Sequence, residues 1–305
     1  MSTATTGDIP SRRRVWLMAI RPPTLPAAVG PVLVGIGVAL GLGVFRPLPA
    51  LAALAVAVLL QVAANLANDL FDFRSGADTP DRLGPPRVAA MGLLGQRQLA
   101  IGIVVVLALA GLVGFYLVSV GGLPILVLGV LAVVSAIAYT GGPWPYGYHG
   151  LGELFVFVFF GLVAVAGTTF LQTDRWDPVA LAAGVPVGLL VTAILVANNL
   201  RDIGTDARAG KRTLAVLLGE RATMLEYALL VAVAYLVPIL LVLVGSSGPS
   251  VLLPLVSAPL AVPLLREVGA GGDPRRLNAV LKGTTRLSLI FACLFAVGLA
   301  LDRVV

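Results

Sequence analysis

In the stretch NLANDLFDF, residues Asn65, Asn68, Asp69 and Asp72 stand at i, i+3, i+4 and i+7. That spacing puts four side chains on one face of a helix. A second stretch, NNLRDIGTD, sets Asn198, Asn199, Asp202 and Asp206 on a similar face. Both stretches close long apolar runs, where an unpartnered carboxylate costs several kcal/mol and usually marks function. Carboxylates from two helices facing one cavity repel each other. A divalent cation relieves that repulsion and can be shared with a polyanion. The loops that follow at once, RSGADTPDRLGPPR (Arg74 to Arg87) and ARAGKRT (Ala207 to Thr213), supply guanidinium and ammonium groups for phosphate oxygens. Carboxylate, cation and base together ask for a diphosphate. The apolar runs behind them ask for a hydrophobic tail on it, as in a prenyl diphosphate.

The donor types narrow the metal. The chain has a single cysteine, Cys293, and a single histidine, His149. This excludes an internal disulfide, a cysteine cluster and a multi-histidine site. Any metal must be held mainly by oxygen, which suits Mg²⁺, Ca²⁺ or Mn²⁺.

The elements that position these residues follow from composition. The 305-residue chain is 58% hydrophobic and 12% charged, with mean hydropathy +1.00. Soluble domains are about 45–50% apolar and about 25% charged. The chain is therefore expected to be all-α, a polytopic bundle of nine transmembrane helices around a central cavity. The expected spans are Trp16–Leu42, Leu48–Phe71, Leu99–Val118, Leu123–Tyr139, Leu151–Leu171, Pro178–Leu200, Met224–Val244, Val251–Leu265 and Leu287–Leu301. Residues 1–14 are expected to be a disordered basic segment, and residues 15–305 a single domain. With the N-terminus in the cytoplasm, every Lys and Arg except Arg46, Arg175 and Arg303 falls on the cytoplasmic side, as the positive-inside rule demands. The net charge of +6 is then a property of one membrane face, and no nucleic-acid partner is expected. Both motifs emerge at that face. The absence of a cleavable leader fits a bacterial inner membrane.

The two motifs also align with each other. One constant offset pairs Asn65 with Asn199, Leu66 with Leu200, Asp72 with Asp206, Arg74 with Arg208, Gly76 with Gly210 and Thr79 with Thr213. A parallel internal repeat would set the motifs across a central cavity. Independent arrival at a polar helix end would give a similar composition.

The strings NLANDLFDFRSGADTPDR and NNLRDIGTDARAGKRT resemble the two Asp-rich motifs of the UbiA-type intramembrane prenyltransferases. RPPTLPAAVGPVLVG (Arg21 to Gly35) and YTGGPWPYGYHGLGE (Tyr139 to Glu153) extend the resemblance over most of the chain, least so in the last three helices. The resemblance implies nine helices, Mg²⁺, and transfer of a prenyl group from its diphosphate to an aromatic acceptor. It lies nearest the branch acting on 1,4-dihydroxy-2-naphthoate, with loss of CO₂ on the way to menaquinone. YTGGP departs from the Tyr-Pro-basic pattern typical of the 4-hydroxybenzoate branch. Residue by residue, the resemblance implies Asn65, Asp69, Asp72, Asp202 and Asp206 for the metal, with Asn68, Asn198 and Asn199 in support. It implies Arg74, Arg82, Arg87, Lys211 and Arg212 for the diphosphate, with Arg74, Lys211 and Tyr139 nearest the chemistry.

Other residues keep two readings. Tyr139 suits cation stabilisation or an interfacial belt. Arg21 suits the acceptor carboxylate or juxtamembrane anchoring. Glu153 suits deprotonation of the acceptor hydroxyl or a favourable place at a helix N-terminus. His149 suits an aromatic-binding lid or a solvated loop. Homogentisate and 4-hydroxybenzoate remain rival acceptors. A cation-coupled transporter is the rival class, although transporters tend to hold their charges near the midplane.

Overall fold

In the computed structural model, the described residues are 10–77, 83–85, 87–271 and 273–302. Among them there is no strand. Eleven α-helices run in chain order: α1 Arg12–Ile20, α2 Pro26–Gly41, α3 Pro47–Arg74, α4 Gln96–Ala138, α5 Gly152–Val156, α6 Ala164–Thr173, α7 Pro178–Arg208, α8 Leu214–Leu218, α9 Glu220–Leu243, α10 Ala258–Ala270 and α11 Leu277–Leu301. A π-helical stretch, Phe157–Val163, joins α5 and α6 into one rod. Among the described residues, seven helices are long and apolar enough to cross a membrane. The count is eight if α1 and α2, bent by 48°, form one broken span.

Local chemistry sets the helix starts. Proline opens α2, α3 and α7, where its missing N–H is no loss. The Asp177 carboxylate accepts from Val179 N (2.8 Å) and caps α7. Ser11 Oγ accepts from Arg14 N and starts α1 at Arg12. Residues 12–14, the end of the segment expected to be unstructured, belong to this helix. Residues 1–9 lie outside the described set.

Hydropathy marked the membrane part of each helix and missed its polar ends. α11 begins at Leu277, ahead of the expected Leu287, because Asn278, Lys282 and Thr284 continue the helix beyond its apolar part. α3 and α7 run on through Arg74 and Arg208, so both Asp-rich motifs are entirely helical. The two helices also end alike. Ala77 N donates to Asp72 O (3.0 Å) and Lys211 N to Asp206 O (2.9 Å), closing matched caps around Gly76 (φ 72°) and Gly210 (φ 73°). The sequence alignment of the motifs thus extends to backbone geometry.

α4 has 43 residues, which would be roughly 65 Å long if straight. It is not straight. Gly122 adopts φ 64°, ψ −152°, a region essentially reserved for glycine. Both ends of α4 return to the motif end of α3. Arg74 Nε donates to Gln96 Oε1 (3.0 Å) and Thr140 Oγ1 to Asn68 Oδ1 (2.9 Å). Gly122 is thus a hairpin, at the point where the sequence separates Val118 from Leu123. α7 is the most buried of the long helices and α4 the least. One core joins α2, α6, α7, α9, α10 and α11; a second joins α1, α3 and the start of α4. A cavity lies between them.

Replacing Gly122 by valine is expected to destabilise the fold by about 1–3 kcal/mol. Gly129→Ala, at a position in the same helix with open space around it, is expected to change nothing. Thermal unfolding in detergent distinguishes the two, and an unshifted melting temperature for Gly122→Val would refute the hairpin.

Candidate active site

The cavity measures about 890 Å³ and is mostly apolar, with polar groups gathered at the motif end. Its centre of charge is Asp72, 2% exposed. Asp72 Oδ2 accepts from Arg87 Nη2 (2.8 Å), and Oδ1 from Lys211 Nζ (3.0 Å) and the Tyr148 hydroxyl (2.5 Å). A buried carboxylate survives only with such compensation. Here the compensation comes from the loops that follow both motifs. Lys211 Nζ also lies 4.6 Å from the Tyr148 ring centroid, and Arg212 N donates to Tyr148 O (3.0 Å). Burial, then the charge of Asp72, holds the Tyr148 phenol far above its ordinary pKa, so it stays a donor.

The cavity brings together Arg21, Asn68, Asp72, Arg87, Tyr139, Asn198, Asn199, Asp202, Asp206 and Lys211. Arg21 sits in the left-handed region (φ 55°) at the end of α1, with its guanidinium 3.9 Å from Asp69. Tyr139 forms one wall and packs edge-on to Tyr146 at 5.5 Å. Glu153 lies buried behind that wall. Its Oε1 accepts from Asn199 Nδ2 (2.8 Å), and its Oε2 has no hydrogen-bond partner.

Several expected residues lie elsewhere. Asn65 Nδ2 donates to Ile20 O (2.8 Å) and Thr24 Oγ1 (2.9 Å), so it braces the α1–α2 bend. Asp69 accepts from Val88 N and Ala89 N at 3.3 Å and anchors the returning loop. The physical reason is angular. The four polar positions of the first motif span an arc of about 100°, and the cavity takes only the Asn68–Asp72 side of it. Arg74, two residues past Asp72, points about 200° away, is exposed, and meets Gln96. Arg212 is exposed, turned away from its neighbour Lys211. His149 is exposed, stacks on Trp144 at 4.6 Å and bonds to Pro145 O. Arg82 lies outside the described residues.

Sequence reasoning passed over two cavity-end residues. Tyr148 was present only as part of the string YTGGPWPYGYHGLGE, where nothing distinguishes it from Tyr146. Arg201 was counted as a topological charge, yet it is 2% exposed and hydrogen-bonds to Asp202, Asn198 and Asn278. The one available signal was an arginine inside an apolar helix, a position that demands a partner.

Among the described residues, no three His, Cys, Asp or Glu side chains converge as a ready metal cage. The donors facing the cavity are carboxylates and amide oxygens. This set fits Mg²⁺, which keeps several waters and shares its shell with substrate phosphates.

Replacing Asn199 by leucine is expected to strand the Glu153 carboxyl and cost about 1–3 kcal/mol. The double replacement Asn199→Leu with Glu153→Met is expected to restore most of the loss. Thermal denaturation of the two single variants and the double closes the cycle, and strict additivity would show that the pair is not a unit.

Comparison with known proteins identifies a family and a fold. The model of the UbiA prenyltransferase family matches residues 28–280. The 1,4-dihydroxy-2-naphthoate octaprenyltransferase of Mycobacterium tuberculosis is 43% identical over 288 residues, covering 94% of this chain and 97% of the relative. The enzyme of the same name from Escherichia coli is 38% identical over 299 residues, covering 96% and 97%. A solved UbiA homolog from Archaeoglobus fulgidus bound to GPP and Mg²⁺ superimposes with a TM-score of 0.64 at 17% identity, covering 93% of this chain and 99% of that one. The last likeness concerns the fold.

Proposed function

We propose that this chain, which belongs to the UbiA prenyltransferase family, transfers a polyprenyl group from its diphosphate to 1,4-dihydroxy-2-naphthoate, with loss of CO₂, in menaquinone synthesis. The observation that carries the reading is the charge-lined end of an apolar cavity, with Asp72 held between Arg87 and Lys211. The acceptor follows from relatives of that name at 38–43% identity over nearly their whole length.

The chain is a multi-pass membrane protein. In our reading it crosses the bilayer nine times, with the N-terminus and the motif end in the cytoplasm. The Gly122 hairpin, which adds a crossing to those counted by helix length, supports that number. The distribution of Lys and Arg supports the orientation.

Asp72, Asp202 and Asp206, with Asn68, Asn198 and Asn199, would hold Mg²⁺ and its diphosphate. Bound there, Mg²⁺ would neutralise the diphosphate and ease its departure. Arg87 and Lys211 lie against Asp72 and are placed to take diphosphate oxygens as charge builds on the leaving group. Asn65 and Asp69 keep a supporting place, bracing the bend and the loop beside that headgroup. Arg74, Arg212 and His149 have no described contact with the cavity and are left out of the reaction, while Arg82, outside the described residues, keeps its proposed place on the diphosphate. The Tyr139 ring lines the cavity, where a π-face would stabilise developing positive charge. The apolar walls exclude water from that fragment. Arg21, at the cavity mouth, is suited to the acceptor carboxylate. Glu153 serves through Asn199, whose amide it orients.

Prenyl transfer by purified protein tests the reading. Product from 1,4-dihydroxy-2-naphthoate and farnesyl diphosphate is expected with Mg²⁺ and not with EDTA, and its mass should show loss of CO₂. Asp72→Asn and Asp206→Asn are expected to abolish turnover, with Asp206→Asn still purifying folded. Product from 4-hydroxybenzoate alone would move the acceptor, and wild-type turnover in either variant would remove the metal assignment.

A further inference from the structure

Arg201 is a buried guanidinium whose ties run in two directions. Toward the cavity, its Nε donates to Asp202 Oδ1 (2.8 Å) and its Nη2 to Asp202 Oδ2 (2.5 Å) and Asn198 Oδ1 (2.9 Å). Away from it, Nη1 donates to Asn278 Oδ1 of α11 (2.9 Å). The Asn278 amide then donates to Leu83 O (3.0 Å), on the loop that follows the first motif. The next residue, Gly84, lies against the guanidinium so closely that a Cβ there would come within 2.6 Å of Nη2. That same loop leads to Arg87, which pairs with Asp72.

A carboxylate offers about four lone-pair positions. The Arg201 fork takes two from Asp202 and fixes the plane of the group. The positions that remain belong to a side chain that lines the cavity. Outer partners of this kind set the orientation and affinity of a carboxylate ligand.

We propose that Arg201 is a positioning residue that couples the two motifs. It presents Asp202 to the metal–diphosphate headgroup, and through Asn278 and the Leu83–Gly84 backbone it sets the loop that carries Arg87. The inference rests on reading the cavity end as a diphosphate site. It adds that the site's two halves are adjusted by one side chain that does not line the cavity.

The test uses the full-length protein in detergent with Mg²⁺ and inorganic pyrophosphate, read by ligand-induced thermal shift, alongside steady-state kinetics. Asn278→Ala and Gly84→Ala alter the tie without touching a headgroup ligand. Both are expected to lower the ligand-free melting temperature by a few degrees at most, to raise the KM for prenyl diphosphate about tenfold, which is more than that loss explains, and to leave the acceptor KM within about twofold. Arg201→Gln is expected to raise the Mg²⁺ needed for half-maximal pyrophosphate binding by about 10–100-fold, with Arg201→Lys recovering part of it. Should Arg201→Gln fail to fold, the loop variants decide. Wild-type KM for prenyl diphosphate in both Asn278→Ala and Gly84→Ala would overturn the proposal, as would binding losses that merely follow lost stability. Absence of Mg²⁺-dependent pyrophosphate binding by the wild-type protein would instead overturn the diphosphate reading itself.

Discussion

A carboxylate buried among apolar helices must be neutralised by its surroundings, and Asp72 meets that demand with Arg87 on one oxygen and Lys211 on the other. Neither cation belongs to its own helix. Arg87 arrives on the loop that leaves α3 and turns back over the cavity, and Lys211 on the turn that ends α7. The ends of the two motif helices therefore have to meet, and the loops have to fold inward. Tyr148, donating to the same carboxylate, draws in a third segment. Much of the cavity mouth can be understood as the set of backbone paths that deliver compensating charge to this one group.

Those paths need abrupt changes of direction, which the chain makes with a few devices. The matched caps at Gly76 and Gly210 stop α3 and α7 at equivalent places. Both are glycine-ended caps of the common kind, in which the residue after glycine donates to a carbonyl of the last turn, and in each the acceptor is the last aspartate of its motif. The two motifs are not symmetric in use. In the first motif Asp69 is spent on backbone amides of the returning loop, while in the second Asp202 is gripped by its own neighbour Arg201.

The fold was legible in the sequence because lipid leaves few choices. Long apolar runs must be helices, and charged or glycine-rich breaks must be turns. The hairpin at Gly122 was visible as a gap between apolar runs even though the backbone there stays nearly continuous. Helix ends were less legible, since Asn278 and Lys282 are polar yet helical, and hydropathy reports the solvent around a residue before its backbone. Spacing and charge single out Asp72, Asp202, Asp206 and Lys211, and the structure brings these four to the cavity. They single out Asn65, Asp69 and Arg74 as well, which meet other partners, because a helical face of about 100° cannot say where the cavity edge falls across it. Arg201 escaped for a related reason: an arginine at a membrane-facing helix end looks the same in sequence whether it meets water or a carboxylate.

The division between the two ends of the cavity bears on what such a protein can discriminate. At the motif end the oxygens of Asp72 and Asp202 and the Asn199 amide meet donors or acceptors of opposite character, so a headgroup of the wrong charge would leave buried groups unpaired. A site of that kind rejects strongly. The other end has no comparable constraint. Phe115, Leu126 and Val130 of α4 line the cavity and are also among the exposed apolar residues of the molecule. In a bilayer those exposed faces meet lipid chains, which are chemically equivalent to the tail of a prenyl diphosphate. In the proposed reading, selection for the headgroup is therefore built into polar geometry around Asp72 and Asp202, while the apolar end asks of a tail only that it be apolar.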